Sequence, residues 1–324
     1  MDVVLNIDEN EKTNNFVENS SSHNKREFLR DKEPHDIARF FSSFVDENRT
    51  LVVPIGFPQA GKSLLFSSLI HFAKKGNGTL FRLNILSNGF YELGHKTAVN
   101  MVDKFSEKEL YLTTQKGSLD LIGLDITPNK QKLPPLKIAF LDLAGEDIQG
   151  IKTINGSKFT DKINAVFNGI KIRNSPIVFL MITPFIPPNR EGDYNKTDNH
   201  SLEDGLHFDF LNHLRQNESQ LLQNARFFIV VSQWDLNTNP NLDVETYIEN
   251  YRPAIYNYVK NLDVIWGKYS VGKLLVTRTE NDPVAKVNIV EINIDYPDRL
   301  WKKLYQICTG KDLDRKTCWE KLFG

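Results

Sequence analysis

The sequence predicts a three-layer α/β protein, a mainly parallel sheet with helices on both faces. Three observations carry this. Continuously apolar runs such as Leu51–Ile55, Ile177–Ile182 and Phe227–Val231 alternate with segments of helical periodicity, and strands apolar on both sides belong to sheets covered on both faces. The octet Gly56-Phe57-Pro58-Gln59-Ala60-Gly61-Lys62-Ser63 reads G-x-x-x-x-G-K-S and lies between the first of these runs and a helical pattern, the strand–loop–helix setting that this pattern needs. No internal repeat and no linker divides residues 35–310, so these form one elaborated domain.

Composition sets the bounds. The 324 residues are 40% hydrophobic with 11% aromatics, enough for a sizeable core. A formal net charge of −1 lacks the basic field on which nucleic-acid binding leans. Cys308 and Cys318 make neither a disulfide framework nor a metal pattern, which places the chain in a reducing, cytoplasmic setting. No apolar run reaches the ~20 residues of a membrane span, and the N-x-S/T triplets at Asn19 and Asn77 are coincidences of an Asn-rich chain.

Residues 1–34 are polar, rich in Asn, Ser and Glu, and read as a flexible leader in which Val3-Val4-Leu5 has strand character. Ile37, Phe40, Phe41 and Phe44 stand at helical spacing. Strand 51–55 then feeds the glycine-rich loop and a helix over 62–74, with Leu65, Leu69 and Phe72 on one face. A strand follows over 80–86, weaker helical or irregular segments over 92–103 and 107–112, and strands over 119–126 and 136–141 joined by a hairpin-length connection. Next come a helix over 157–172, strand 177–182, a polar Pro-rich insertion from residue 184, and a helix over 202–222. Strand 227–231, helix 244–259, strand 274–277, a further strand over 287–294 and helix 297–307 complete the domain. The tail, 311–324, carries Trp319 and Leu322 at the spacing of a short helix.

The chemistry of the octet follows from its spacing. Glycines at both ends let successive backbone N–H groups point into one concavity, which with the helix N-terminus holds an anion. Gly56, Gln59, Ala60, Gly61, Lys62, Ser63 and Leu64 are the expected cradle. Lys62 should reach the β- and γ-phosphates and the Ser63 hydroxyl should sit on Mg²⁺. Strand 136–141 leads into Asp142-Leu143-Ala144-Gly145-Glu146. An aspartate at a strand tip can hold Mg²⁺ through a water, and the Gly145 N–H can bond a γ-phosphate oxygen. Strand 227–231 leads into Ser232-Gln233-Trp234-Asp235, where a carboxylate accepts both edge donors of guanine but meets a ring acceptor on adenine. Each charge-assisted bond left unmade costs roughly 1.5–3 kcal/mol, so Asp235 alone supplies about a hundredfold discrimination. The histidines include no H-E-x-x-H, and His200, His207 and His213 have no ligand-like partners.

In this order, each motif at a strand end, the chain resembles the P-loop GTPases of the Ras and translation-factor class. Asp142–Gly145 matches that class's D-x-x-G, and Ser232–Asp235 stands where N/T-K-x-D is expected. Glu146 and Ser270-Val271-Gly272 add a weaker likeness to the bacterial double-GTPase group. The resemblance implies GTP and GDP as ligands, Mg²⁺ as cofactor, and Thr114 (or Thr113) as a switch threonine on the metal. It also implies a small base-contacting motif after the last core strand, a place held here by Thr277-Arg278-Thr279. Three departures stand out. Gln233 replaces the lysine that stacks on the base, Pro58 lacks an N–H, and Glu146 stands where many Ras-like members carry a water-positioning glutamine. A carboxylate there faces an anionic γ-phosphate and is repelled. The expectation is slow GTP hydrolysis with Lys62, Thr114 and Glu146 in the catalytic positions, a conformational switch over residues 87–118 and 143–160, and a protein effector or activating partner. An ATPase or kinase, and a nucleotide-binding scaffold without turnover, remain alternatives.

Overall fold

The computed structural model describes residues 32–57, 60–75, 80–109, 119–130, 132–143, 161–187, 194–279 and 282–314. The leader 1–31, Pro58-Gln59, the segments 110–118 and 144–160 and the tail from residue 315 lie outside them, and with them Gln59, Thr113, Thr114, Gly145 and Glu146.

Seven strands form the main sheet: β1 (Arg49–Ile55), β2 (Phe81–Ile85), β3 (Leu119–Pro128), β4 (Leu136–Leu143), β5 (Ile177–Pro184), β6 (Ala225–Ser232) and β7 (Val264–Lys268). Their order is β2-β3-β4-β1-β5-β6-β7. From β4 to β7 every pairing is parallel, whereas β2–β3 and β3–β4 are antiparallel. The parallel strands therefore end on one edge, where ligands bind in open α/β sheets.

The alternation along each central strand divides the core into two. Leu51, Val53 and Ile55 of β1, Phe179 of β5 and Ile229 of β6 face one layer of helices; Val52, Val178, Leu180 and Val230 face the other. The first layer holds α1 (Pro34–Ser42), α4 (Asp161–Ile172), α5 (Tyr194–Asn217), α6 (Ser219–Asn224), α7 (Val244–Tyr251) and α8 (Pro253–Val259). The second holds α2 (Lys62–Lys75), α3 (Glu92–Ser106) and α9 (Asp295–Thr309). This is the expected three-layer α/β fold, and the placement of the glycine-rich loop between β1 and α2 fits a P-loop NTPase fold.

Two polar ties fix elements within the layers, one inside the sheet and one between two helices of the second layer. Arg49, 3% exposed at the start of β1, donates to Glu47 at 2.9 Å, to the Ile138 carbonyl at 3.1 Å, and pairs with Asp125 of β3 at 2.9 Å. Trp301 of α9, also buried, donates its Nε1–H to the Leu69 carbonyl of α2 at 2.8 Å.

Four expectations change. The last strand of the main sheet is β7, a short half-buried edge strand interrupted by Gly267 that shows no alternation in sequence. The expected strand 274–277 instead lies in β8 (Gly272–Thr279), which pairs antiparallel with β9 (Asp282–Ile292) in a separate two-stranded sheet. The helix expected over 202–222 begins at Tyr194, inside the expected polar insertion, and breaks at Glu218. The helix over 244–259 divides at Arg252, because Pro253 removes an N–H and pushes the preceding residue out of the helical region. Asp204 of α5 caps the new start, accepting from the Ala254 and Ile255 N–H groups at 3.0 and 3.1 Å.

Candidate functional site

The loop between β1 and α2 is shaped by its two glycines. Gly61 has φ +88°, a left-handed conformation that costs other residues about 1–2 kcal/mol. Gly56 packs so closely on β5 that a Cβ there would lie 2.6 Å from the Ile182 carbonyl oxygen. The Ala60 N–H bonds back to the Phe57 carbonyl at 3.1 Å, and the Leu65 N–H to the Gly61 carbonyl at 2.9 Å starts α2. Lys62 turns over the loop and donates its ammonium to the Gly56 and Phe57 carbonyls at 2.8 and 3.0 Å. Ser63 follows at the second position of α2, where its carbonyl accepts from Ser67 Oγ at 2.8 Å.

The end of β6 is tied to this loop. Ser232, 1% exposed, donates to the Ala60 carbonyl at 2.8 Å. Beyond it Gln233 is exposed and left-handed (φ 55°, ψ 34°), starting a 3₁₀ turn over Trp234–Leu236. Trp234 packs inward, its ring edge-on to Phe185 at 5.4 Å, while Asp235 points to solvent.

Ser270 fixes that aspartate, donating Oγ–H to Asp235 Oδ1 at 2.6 Å. Ser270 stands just after β7, and its neighbour Tyr269 is locked from three sides. The Tyr269 N–H bonds to the Val231 carbonyl at 2.9 Å, its carbonyl accepts from the Trp234 N–H at 3.0 Å, and its hydroxyl donates to the Leu64 carbonyl of α2 at 3.1 Å. Burial, with the Asp235 charge adding to it, pushes the Tyr269 phenol well above its usual range, so it remains a donor at all ordinary pH.

The structure thus brings Gly56, Ala60, Gly61, Lys62, Ser63, Leu64, Gln233 and Asp235 to one edge of the sheet. Asp142, near the end of β4, lies on the same edge because β4 runs parallel to β1. Thr277-Arg278-Thr279 does not occupy the place expected of it. Those residues close β8, and the segment that follows the last core strand and touches Asp235 is Tyr269-Ser270-Val271. Ser270-Val271-Gly272 was visible as a motif, but with β7 unseen its place in the sheet was not. The roles of Tyr269 and Ser232 carried no sequence signal, since both act through backbone carbonyls.

Among the described residues no group of three or more His, Cys, Asp or Glu side chains forms a metal cage, and no helix is long and apolar enough to cross a membrane. No protein-family model matches the chain, and no curated protein sequence matches it. Solved structures that resemble it include a dimerization-deficient mutant of Toc33 from Arabidopsis thaliana, at 11% identity over 86% of this chain and 93% of that one with a TM-score of 0.38. A mutation variant of SsGBP matches at 11% identity over 75% of this chain and 60% of that one, with a TM-score of 0.29. The class of the fold rests on the chain's own topology: a parallel β4-β1-β5-β6-β7 array with a G-x-x-x-x-G-K-S loop at the end of β1.

Proposed function

We propose that the chain binds GTP and GDP at this sheet edge, hydrolyses GTP slowly, and acts as a nucleotide-dependent conformational switch. The observation that carries the guanine reading is Asp235. Its carboxylate is exposed at the end of β6, aimed by the Ser270 hydroxyl, and held in fixed relation to the phosphate loop by Ser232 and Tyr269. A carboxylate so placed accepts from the ring N–H and exocyclic amine of guanine, and meets a lone pair on adenine.

The phosphate end follows from the loop. The backbone N–H groups at the N-terminus of α2 would meet the phosphates, and Lys62 would exchange its two loop carbonyls for β- and γ-phosphate oxygens. The residues fit Mg²⁺, which in such sites is completed by phosphates and water rather than by a protein cage: Ser63 and, through water, Asp142 would hold it, with Thr114 joining in the triphosphate state. Bound there, the cation neutralises charge on the β- and γ-phosphates. Lys62 and the loop amides stabilise the same charge as it shifts toward the leaving oxygen. By its place in the sequence after Asp142–Gly145, Glu146 would set a negative charge against the γ-phosphate, so turnover would be slow until a partner completes the site. Loss of contacts to Thr114 and the Gly145 N–H on hydrolysis would release the segments that carry them.

Equilibrium binding of labelled GDP, GTP, ADP and ATP with Mg²⁺, with Lys62→Ala as control, tests the reading. Guanine-selective binding lost in the control is expected. Adenine preference would move the protein to the ATPase class, and no binding would leave a scaffold. Fast turnover by the isolated protein that collapses in Glu146→Gln would overturn the slow-hydrolysis proposal and make Glu146 the base.

A further inference from the structure

A cleft of about 330 Å³ opens along β7. Its floor is Trp266, Gly267 and Lys268; one wall is the start of α7 and the other is the face of α9 carrying Arg299 and Lys303. Three cationic residues, Lys268, Arg299 and Lys303, therefore line it. Lys303 reaches across the strand and donates to the Trp266 carbonyl. The Lys268 ammonium lies 5.5 Å from the ring centre of Trp234.

Among the described residues none of Lys268, Arg299 and Lys303 has a carboxylate within ion-pair distance. The two acidic residues on the opposite wall do not supply one. Asp243 is committed as the N-cap of α7, accepting the Thr246 N–H at 2.8 Å, and Glu245 points to solvent in the first turn. Burial and the nearby Lys268 charge both hold Lys303 below the usual lysine range, the mark of two ammonium groups kept together without a counter-ion. A lysine lying across an edge strand also blocks the pairing of another strand. The cleft is thus closed to an added strand and open to a small ligand, and its volume is at the lower end of small-molecule pockets.

We propose that this cleft binds a small ligand bearing two or more oxyanion charges, phosphate or carboxylate, held by Lys268, Lys303 and Arg299. It is a second anion site, independent of the nucleotide reading. The experiment is calorimetric titration of the full chain carrying Lys62→Ala, which removes the phosphate-loop lysine, with sodium pyrophosphate and with citrate at matched ionic strength. Tryptophan fluorescence is followed in parallel, because Trp266 borders the cleft and Trp234 lies under the Lys268 ammonium. Saturable binding of one or both probes is expected, weakened about tenfold or more by Lys268→Gln and by Lys303→Gln and kept by Lys268→Arg. Pyrophosphate alone would assign a phosphate ligand and citrate alone a carboxylate. Lys303 packs its stem against the strand, so Lys268→Gln, whose ammonium faces only a ring, serves if Lys303→Gln fails to fold. Absence of saturable binding of either probe, or binding unchanged in Lys268→Gln, would overturn the proposal.

Discussion

Replacing Ser270 with alanine tests how the aspartate at the end of β6 is aimed. The change removes the 2.6 Å bond to Asp235 Oδ1 and an acceptor of the Gly272 N–H at 3.2 Å. A hydrogen bond to a charged group is worth about 1.5–3 kcal/mol when dry. Asp235 is exposed, so water replaces part of that, and about 0.5–1.5 kcal/mol survives as loss of aim. That corresponds to roughly 2–12-fold in guanine affinity. The Gly272 N–H contributes separately, at about 1 kcal/mol of stability, so binding is measured well below the melting transition. Fluorescence anisotropy with labelled GDP and ADP is run on Ser270→Ala, Asp235→Asn, Asp235→Ala and the double variant. Asp235→Asn should cost about a hundredfold for GDP and little for ADP. Ser270→Ala should cost GDP a few-fold, spare ADP, and add nothing once Asp235 is alanine. Equal losses for GDP and ADP would mean that Ser270 acts through the phosphate loop, and no loss at all would refute the aiming role.

Other perturbations bear on the frame. Gly56→Ala places a methyl 2.6 Å from a backbone oxygen that no rotamer can move, and should destabilise by about 1–3 kcal/mol, seen as a fall in Tm; an unchanged Tm would contradict the close approach to β5. Trp301→Phe keeps a ring but loses the donor to Leu69 and some volume, and should cost about 1–3 kcal/mol in denaturant titrations. Burial holds the His213 imidazole below its ordinary 6.5, so the unfolded chain takes up a proton that the folded one refuses. Stability should therefore fall as pH drops below about 6.5, and His213→Gln should flatten that part of the profile. Burial pushes the Cys308 thiol from 9.0 to about 12, so in a Cys318→Ser background the native protein should resist thiol reagents near neutral pH, and its stability should fall as pH rises from about 9 toward 12.

How far the sequence could be read depended on what each residue touches. The central strands are plain in the sequence, because a strand buried on both faces is apolar along nearly its whole length, as Ile177–Ile182 is. The loop Gly56–Ser63 was equally plain, since phosphate-binding geometry fixes both residue type and spacing. β7 was not legible: it is an edge strand, only Gly267 is buried, and its neighbours mix aromatic, aliphatic and charged side chains. Missing it displaced the reading of everything after it, so that residues 277–279 seemed to follow the last core strand when Ser270 does. The breaks at Glu218 and Arg252 were hidden for a different reason. The apolar spacing continues across both, and only the Pro253 signal marked the second.

The hydrogen bonds that fasten α2 bear on how the chain is made. Tyr269 grips the Leu64 carbonyl from 205 positions downstream, and Trp301 grips that of Leu69 from 232. The octet and its helix leave the ribosome some two hundred residues ahead of the side chains that clamp them. Contacts of such long sequence separation form late and slowly. During translation the half-built sheet therefore presents an unclamped loop, and an amino-terminal fragment ending before residue 269 lacks both fastenings. Both fastenings of α2 can be made only once residue 301 has left the exit tunnel.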